Sequence, residues 1–120
     1  MRLRGTYIKV TDLEKALTFW KGFLNIEPKQ VSPDGDYFEF LLEYGRLGIS
    51  LNNYGDKYLP SSAVPVFQMN HEQAKVALDK VLSLGGKLDY NGIEVEKHQC
   101  IVCLDPFGNE FEFNALPEST

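Results

Sequence analysis

The chain has 120 residues, 43% of them hydrophobic, enough for one packed core and too few for two domains of ordinary size. Twelve basic against seventeen acidic side chains leave a net charge of -5, which repels a phosphate backbone and excludes nucleic acid as an expected partner. No run approaches the roughly 18 apolar residues needed to cross a bilayer, and Met1-Arg2-Leu3-Arg4-Gly5 lacks the apolar stretch of a secretory signal. A cytoplasmic location with no membrane partner is therefore expected, and its reducing conditions leave the two cysteines outside any disulfide framework.

Apolar residues alternate through Thr6-Tyr7-Ile8-Lys9-Val10, and the spacing then becomes helical at Leu13, Leu17, Trp20 and Leu24. Thr11 and Glu14 occupy capping-box positions at the helix start, while Asn25 and Pro28 mark its end. A short strand is expected over residues 26–32, followed by strands at Tyr37 to Leu42 and Leu47 to Leu51. Pro33-Asp34-Gly35 and Tyr44-Gly45-Arg46 supply the turns around the first of these two. Residues 53–62, rich in Asn, Gly, Pro and Ser, read as a connecting loop. Tyr54, Tyr58 and Leu59 give that loop an amphipathic character suited to closing over a ligand or a partner subunit.

The pattern then restarts. Val64 to Met69 alternates as a strand, Asn70 and Gln73 cap a helix whose apolar face is Ala74, Ala77, Leu78 and Val81, and Gly85-Gly86 ends it. Strands follow from Lys87, from Gln99 to Leu104 and from Glu110 to Phe113. Asn91-Gly92 fits either a hairpin turn or a wide loop. Each half reads strand, helix, then two or three strands, so a duplicated βαβββ unit is expected, with modules at 4–52 and 63–114. On pattern alone another α+β topology, such as a ferredoxin-like one, stays open.

Lys9-Val10-Thr11-Asp12-Leu13-Glu14-Lys15-Ala16-Leu17-Thr18-Phe19-Trp20 resembles the opening of vicinal oxygen chelate proteins, the superfamily of glyoxalases and bleomycin-resistance proteins. Leu104-Asp105-Pro106-Phe107-Gly108-Asn109-Glu110-Phe111-Glu112-Phe113 resembles their closing hairpin. The resemblance implies an α+β fold in which two tandem βαβββ modules form a curved mixed sheet, with helices on the convex face and a ligand cleft on the concave face. It also implies a homodimer and, for the family's enzymes, a divalent metal held from four positions. Those positions fall here at Gly5, Ser50, Val64 and Glu112, of which only Glu112 is a ligand of the family's type. Sliding the first by one residue brings in Thr6 or Arg4 and no His or Glu. A single carboxylate does not hold a catalytic divalent ion, so no metal and no cofactor are expected.

Period-two alternation sends Ile8, Val10, Leu47, Ile49, Leu51, Phe67, Met69, Phe111 and Phe113 towards the helices. It leaves Tyr7, Lys9, Ser50, Asn52, Gln68, Cys100, Glu110 and Glu112 as the candidate ligand-binding residues of the other face. Cys100 and Cys103 have redox-motif spacing, but three residues along a strand point to opposite faces, so the thiols should not converge. His71 and His98 read as surface histidines, and Trp20 with Phe19, Phe23 and Leu24 as core. No nucleophile or oxyanion stabiliser stands beside Glu112, which favours binding over catalysis. The expected function is metal-free binding of a polar or cationic small organic molecule; the alternative is an enzyme of the same superfamily, a lyase, isomerase or dioxygenase, with a non-standard metal site.

Overall fold

The structure, a computed structural model, describes residues 1–52, 60, 63–93 and 99–116. Most of the 53–62 connection, with Tyr54, Tyr58 and Leu59, and also His98, lie outside the described residues. The chain divides into two compact units, Met1–Ala63 and Val64–Thr120. Each is a four-stranded mixed sheet carrying one helix, as the duplicated pattern requires.

In the first unit, β1 (Gly5–Val10) leads into α1 (Leu13–Leu24), and β2 (Lys29–Gln30), β3 (Tyr37–Leu42) and β4 (Gly45–Leu51) follow. The strand order is β1-β4-β3-β2, with β1 parallel to β4 and the remaining pairs antiparallel. The helical connection carries the chain from β1 to β2 at the far edge, and two antiparallel reversals, the second through the two-residue Glu43-Tyr44 turn, bring β4 back beside β1 and parallel to it. Asp12, not Thr11, caps α1: its carboxylate accepts from the Lys15 amide at 3.0 Å. The strand therefore reaches Val10 before Asp12 takes the extended conformation a cap needs, one residue later than the Thr11–Glu14 spacing suggested. Asn25 closes the helix in the left-handed conformation, φ 56°. Ala16, Phe19, Trp20 and Phe23 of α1 are buried, as are Ile8, Val10, Phe40, Leu47 and Ile49 of the strands. Fully burying a side chain of this size stabilises by about 1.5–3 kcal/mol, so this face supplies most of the unit's cohesion.

The second unit repeats the design with β5 (Val66–Asn70), α2 (His71–Ser83), β6 (Lys87–Ile93), β7 (Gln99–Leu104) and β8 (Glu110–Leu116) in the order β5-β8-β7-β6. The Asn70–Gln73 capping box is complete, and Gly85 at φ 93° ends the helix. Asn91 and Gly92 form neither a turn nor a loop; they lie within β6, opposite Ile101 and Cys100, beyond an irregularity between Leu88 and Tyr90. The strand continues through a strong turn signal because its backbone pairs with β7, an interaction that local propensity does not register. In the β7–β8 turn the Asp105 carboxylate accepts from the Phe107 and Asn109 amides, both at 2.9 Å, and Gly108 takes φ 83°. Ile101, Cys103, Phe111, Phe113 and Ala115 are buried together with Ala74 and Val81 of α2. No helix among the described residues is long and apolar enough to cross a membrane.

Candidate functional site

Each sheet has a face opposite its buried, helix-covered side, and the register determines which side chains share it. In the first unit three rows cross the strands: Gly5–Arg46–Leu41, Tyr7–Gly48–Glu39 and Lys9–Ser50–Tyr37. Lys29 of β2 is the neighbour of Glu39 and shares that face. The expected Tyr7, Lys9 and Ser50 are therefore together. Asn52 lies just past the end of β4, where its amide donates to the Val10 carbonyl at 2.7 Å.

The centre of this face is a polar cluster absent from the expected set. Glu39 is buried at 7% exposure, and its carboxylate accepts from Arg4 Nη2 at 2.8 Å, from the Tyr37 hydroxyl at 3.1 Å and from Arg46 Nη1 at 3.4 Å. The Arg4 hydrogen bond, supported by those from Tyr37 and Arg46, holds the Glu39 carboxyl below its ordinary value, against burial, which pushes it up. Burial first, and then the bond to Glu39, raises the Tyr37 hydroxyl. Tyr7 meets Tyr37 edge-on, with centroids 6.0 Å apart and planes at 88°. One sequence signal pointed here: a glutamate inside the otherwise apolar Tyr37-Phe38-Glu39-Phe40-Leu41-Leu42 strand. Its partners, 35 and 7 residues away, become visible only through the register.

In the second unit the rows are Gln68–Asn114–Cys100–Gly92 and Val66–Glu112–Val102–Tyr90. The expected Gln68, Cys100 and Glu112 thus share a face, joined by Asn114, which the sequence reading did not single out. Glu110 has the same facing but stands exposed at the start of β8, opposite Leu104. Cys103 points the other way and is buried, with its thiol pushed up to about 11 by that burial. Neither cysteine is in a disulfide, and the two side chains lie on opposite faces as alternation required. His71 Nδ1 pairs with Gln99 at 3.1 Å, and Gln99 in turn donates to Asn91 at 2.8 Å, a chain that ties the start of α2 to β7 and β6.

A resident divalent metal does not fit these residues. Among the described residues no group of three or more His, Cys, Asp or Glu stands close enough to hold an ion. A side chain at position 5 would overlap the Arg46 backbone carbonyl, so no donor can be placed there without moving β4. Val64 offers no donor, Ser50 sits in the row between Lys9 and Tyr37, and Glu112 is a lone carboxylate between Val66 and Val102.

Two four-stranded mixed sheets, each with one helix, are the tandem βαβββ arrangement of glyoxalase-type modules. Residues 4–113 match the Glyoxalase/Bleomycin resistance protein/Dioxygenase superfamily, and the chain belongs to that family. It is 31% identical to a trivalent organoarsenical cleaving enzyme of Bacillus sp. (strain MD1), over 94% of this chain and 72% of that one. A glyoxalase/bleomycin resistance protein/dioxygenase family enzyme from Burkholderia phytofirmans shares the fold with a TM-score of 0.79 at 14% identity, covering 96% of this chain and 98% of that one. A mutant of the fosfomycin resistance protein from Listeria monocytogenes, complexed with Mn(II) and dihydroxypropylphosphonic acid, shares it with a TM-score of 0.75 at 20% identity, covering 95% and 89%.

Proposed function

We propose that this protein binds a small polar organic molecule on the open faces of its sheets, without a metal held at the family's ligand positions. The observation that carries this reading is the donor set: Gly5 has no room for a side chain and Val64 has no donor atom, while polar side chains persist across the strands around them. The ligand-contacting residues are Tyr7, Lys9, Ser50, Gln68, Cys100 and Glu112, with Asn52 and Glu110 at the margins. Glu112 supplies a carboxylate for an amine or another hydrogen-bond donor. The protein works in the cytoplasm as a homodimer. A thermal-shift screen of small polar compounds on chelator-treated protein tests the reading. A hit that is weakened by Glu112→Gln or Gln68→Ala supports it, and hits that appear only after a divalent ion is restored contradict it.

A second reading is an enzyme with a shifted metal site. The names of similar proteins favour it: one is a trivalent organoarsenical cleaving enzyme, and another was crystallised with Mn(II) and dihydroxypropylphosphonic acid. Turnover of such a compound that depends on added metal would put this reading first.

A further inference from the structure

We propose that Arg4 and Arg46 form an anion subsite on the open face of the first unit, one that takes the carboxylate, phosphate or phosphonate group of a small organic anion. The inference rests on the small-molecule reading above and assigns a ligand class to one of its faces.

The whole chain carries -5, yet among the described residues Arg4, Arg46 and Lys29 of this face, with Arg2 at its rim, stand against the carboxylates of Glu39 and Glu43. A local excess of cations inside an acidic protein focuses anions at one place. Arg4 donates from Nε and Nη2, and Arg46 from Nη1, to the same buried carboxylate, which holds both guanidiniums beside it. Each guanidinium has five N–H donors, so further donors of both remain directed away from Glu39. The side chains keep 65% and 37% of their exposure, so those donors are reachable. A pair of guanidiniums held this way loses little freedom on gripping an oxyanion, which is why Arg suits this role better than Lys.

The surroundings define the rest of the ligand. Arg4 and Arg46 line an open groove of about 590 Å³ with Arg2, Leu41 and Tyr44, and Glu43 is the one carboxylate in its lining. Leu41 is 65% exposed and Tyr44 93% exposed. Apolar surface beside two such cations suits an anionic group carried on an apolar body, not a bare inorganic ion. Glu39 is the positioning residue: it touches the arginines, and the arginines touch the anion.

The test is amide chemical-shift titration and calorimetry of the full chain with phenylphosphonate and benzoate, using benzamide as the neutral counterpart. The expected result is saturable shifts at Gly5, Gly45, Arg46 and Gly48 with both anions and none with benzamide. Affinity should fall about tenfold in Arg46→Gln and less in Arg46→Lys, which keeps the charge. Lys75→Gln, an exposed lysine on α2, controls for general charge and should leave affinity unchanged. Equal loss in Lys75→Gln and Arg46→Gln, saturation with benzamide, or shifts confined to the second unit would overturn the subsite. Should Arg46→Gln not fold, the wild-type shift map and the benzamide comparison decide alone. A metal-dependent melt would sink the metal-free reading without touching this result, and insensitivity of anion binding to Arg46 would sink the subsite without touching that reading.

Discussion

The Tyr37 hydroxyl lies over Gly48, on the neighbouring strand, so closely that a Cβ at position 48 would overlap it. The glycine thus makes room for the ring that delivers a hydrogen bond to buried Glu39. Gly48→Ala should displace Tyr37 and cost about 1–3 kcal/mol, the usual range for forcing atoms into filled space. In a Tyr37→Ala background the same change should cost much less, because the clash is gone. Urea melts of the two single variants and the double variant measure this coupling, and additive costs would show that Tyr37 is not what Gly48 accommodates.

Glu39 links the polar cluster to pH. Its carboxyl is held below the ordinary value in the folded state, so as pH falls the unfolded chain takes up this proton first. The stabilisation is therefore complete above the ordinary carboxylate pKa of about 4.3 and is lost as pH falls through the lower folded value. Glu39→Gln should cost about 1 kcal/mol at pH 7, the low end for charge-assisted hydrogen bonds because Arg4 stays largely solvated. The gap between wild type and variant should narrow as the pH falls below the ordinary carboxylate range. A gap that is constant across that range would mean the carboxylate charge contributes nothing.

The cysteines should separate by reactivity. Cys103 is fully buried and its thiol is pushed up to about 11, while Cys100 is half-buried on the opposite face. A disulfide reagent at neutral pH should modify Cys100 in the native protein and reach Cys103 only after unfolding. Peptide mapping by mass spectrometry reads the order, and equal native rates would place Cys103 outside the core.

Much of this architecture is legible in the sequence because it is local. Alternation at Ile8 and Val10, the Asn70–Gln73 box and the Asp105-Pro106-Phe107-Gly108 turn each act within a few residues, and the structure keeps all of them. The polar cluster is not local. Arg4 precedes the first strand, Arg46 is the second residue of the fourth and Glu39 interrupts the third, so only strand pairing brings them together. Asn91-Gly92 misleads for the same reason: its turn propensity is real, but the β6–β7 pairing outweighs it. Parity could place Glu112 and Gln68 on an open face, but it could not show that Asn114 stands between Gln68 and Cys100.

Glu112 occupies a row between Val66 and Val102, where a ligand amine would meet a carboxylate flanked by apolar side chains. Glu112→Gln should leave the melting temperature close to wild type and weaken a cationic ligand found by screening, because an amide does not replace a charge-assisted bond. Unchanged affinity would remove Glu112 from the site.

The most direct measurement of whether binding occurs without a family-type metal is a thermal melt after EDTA treatment, followed by micromolar nickel, zinc, manganese or iron. A ligand stabilises the native state by an amount set by its excess over its dissociation constant, about 2.7 kcal/mol at a hundredfold excess. With Gly5, Ser50 and Val64 at three of the four positions, neither chelator nor metal should move the melting temperature by more than a degree or so. If EDTA lowers it by several degrees and one metal restores it, the protein holds an ion from other residues and the enzyme reading takes first place.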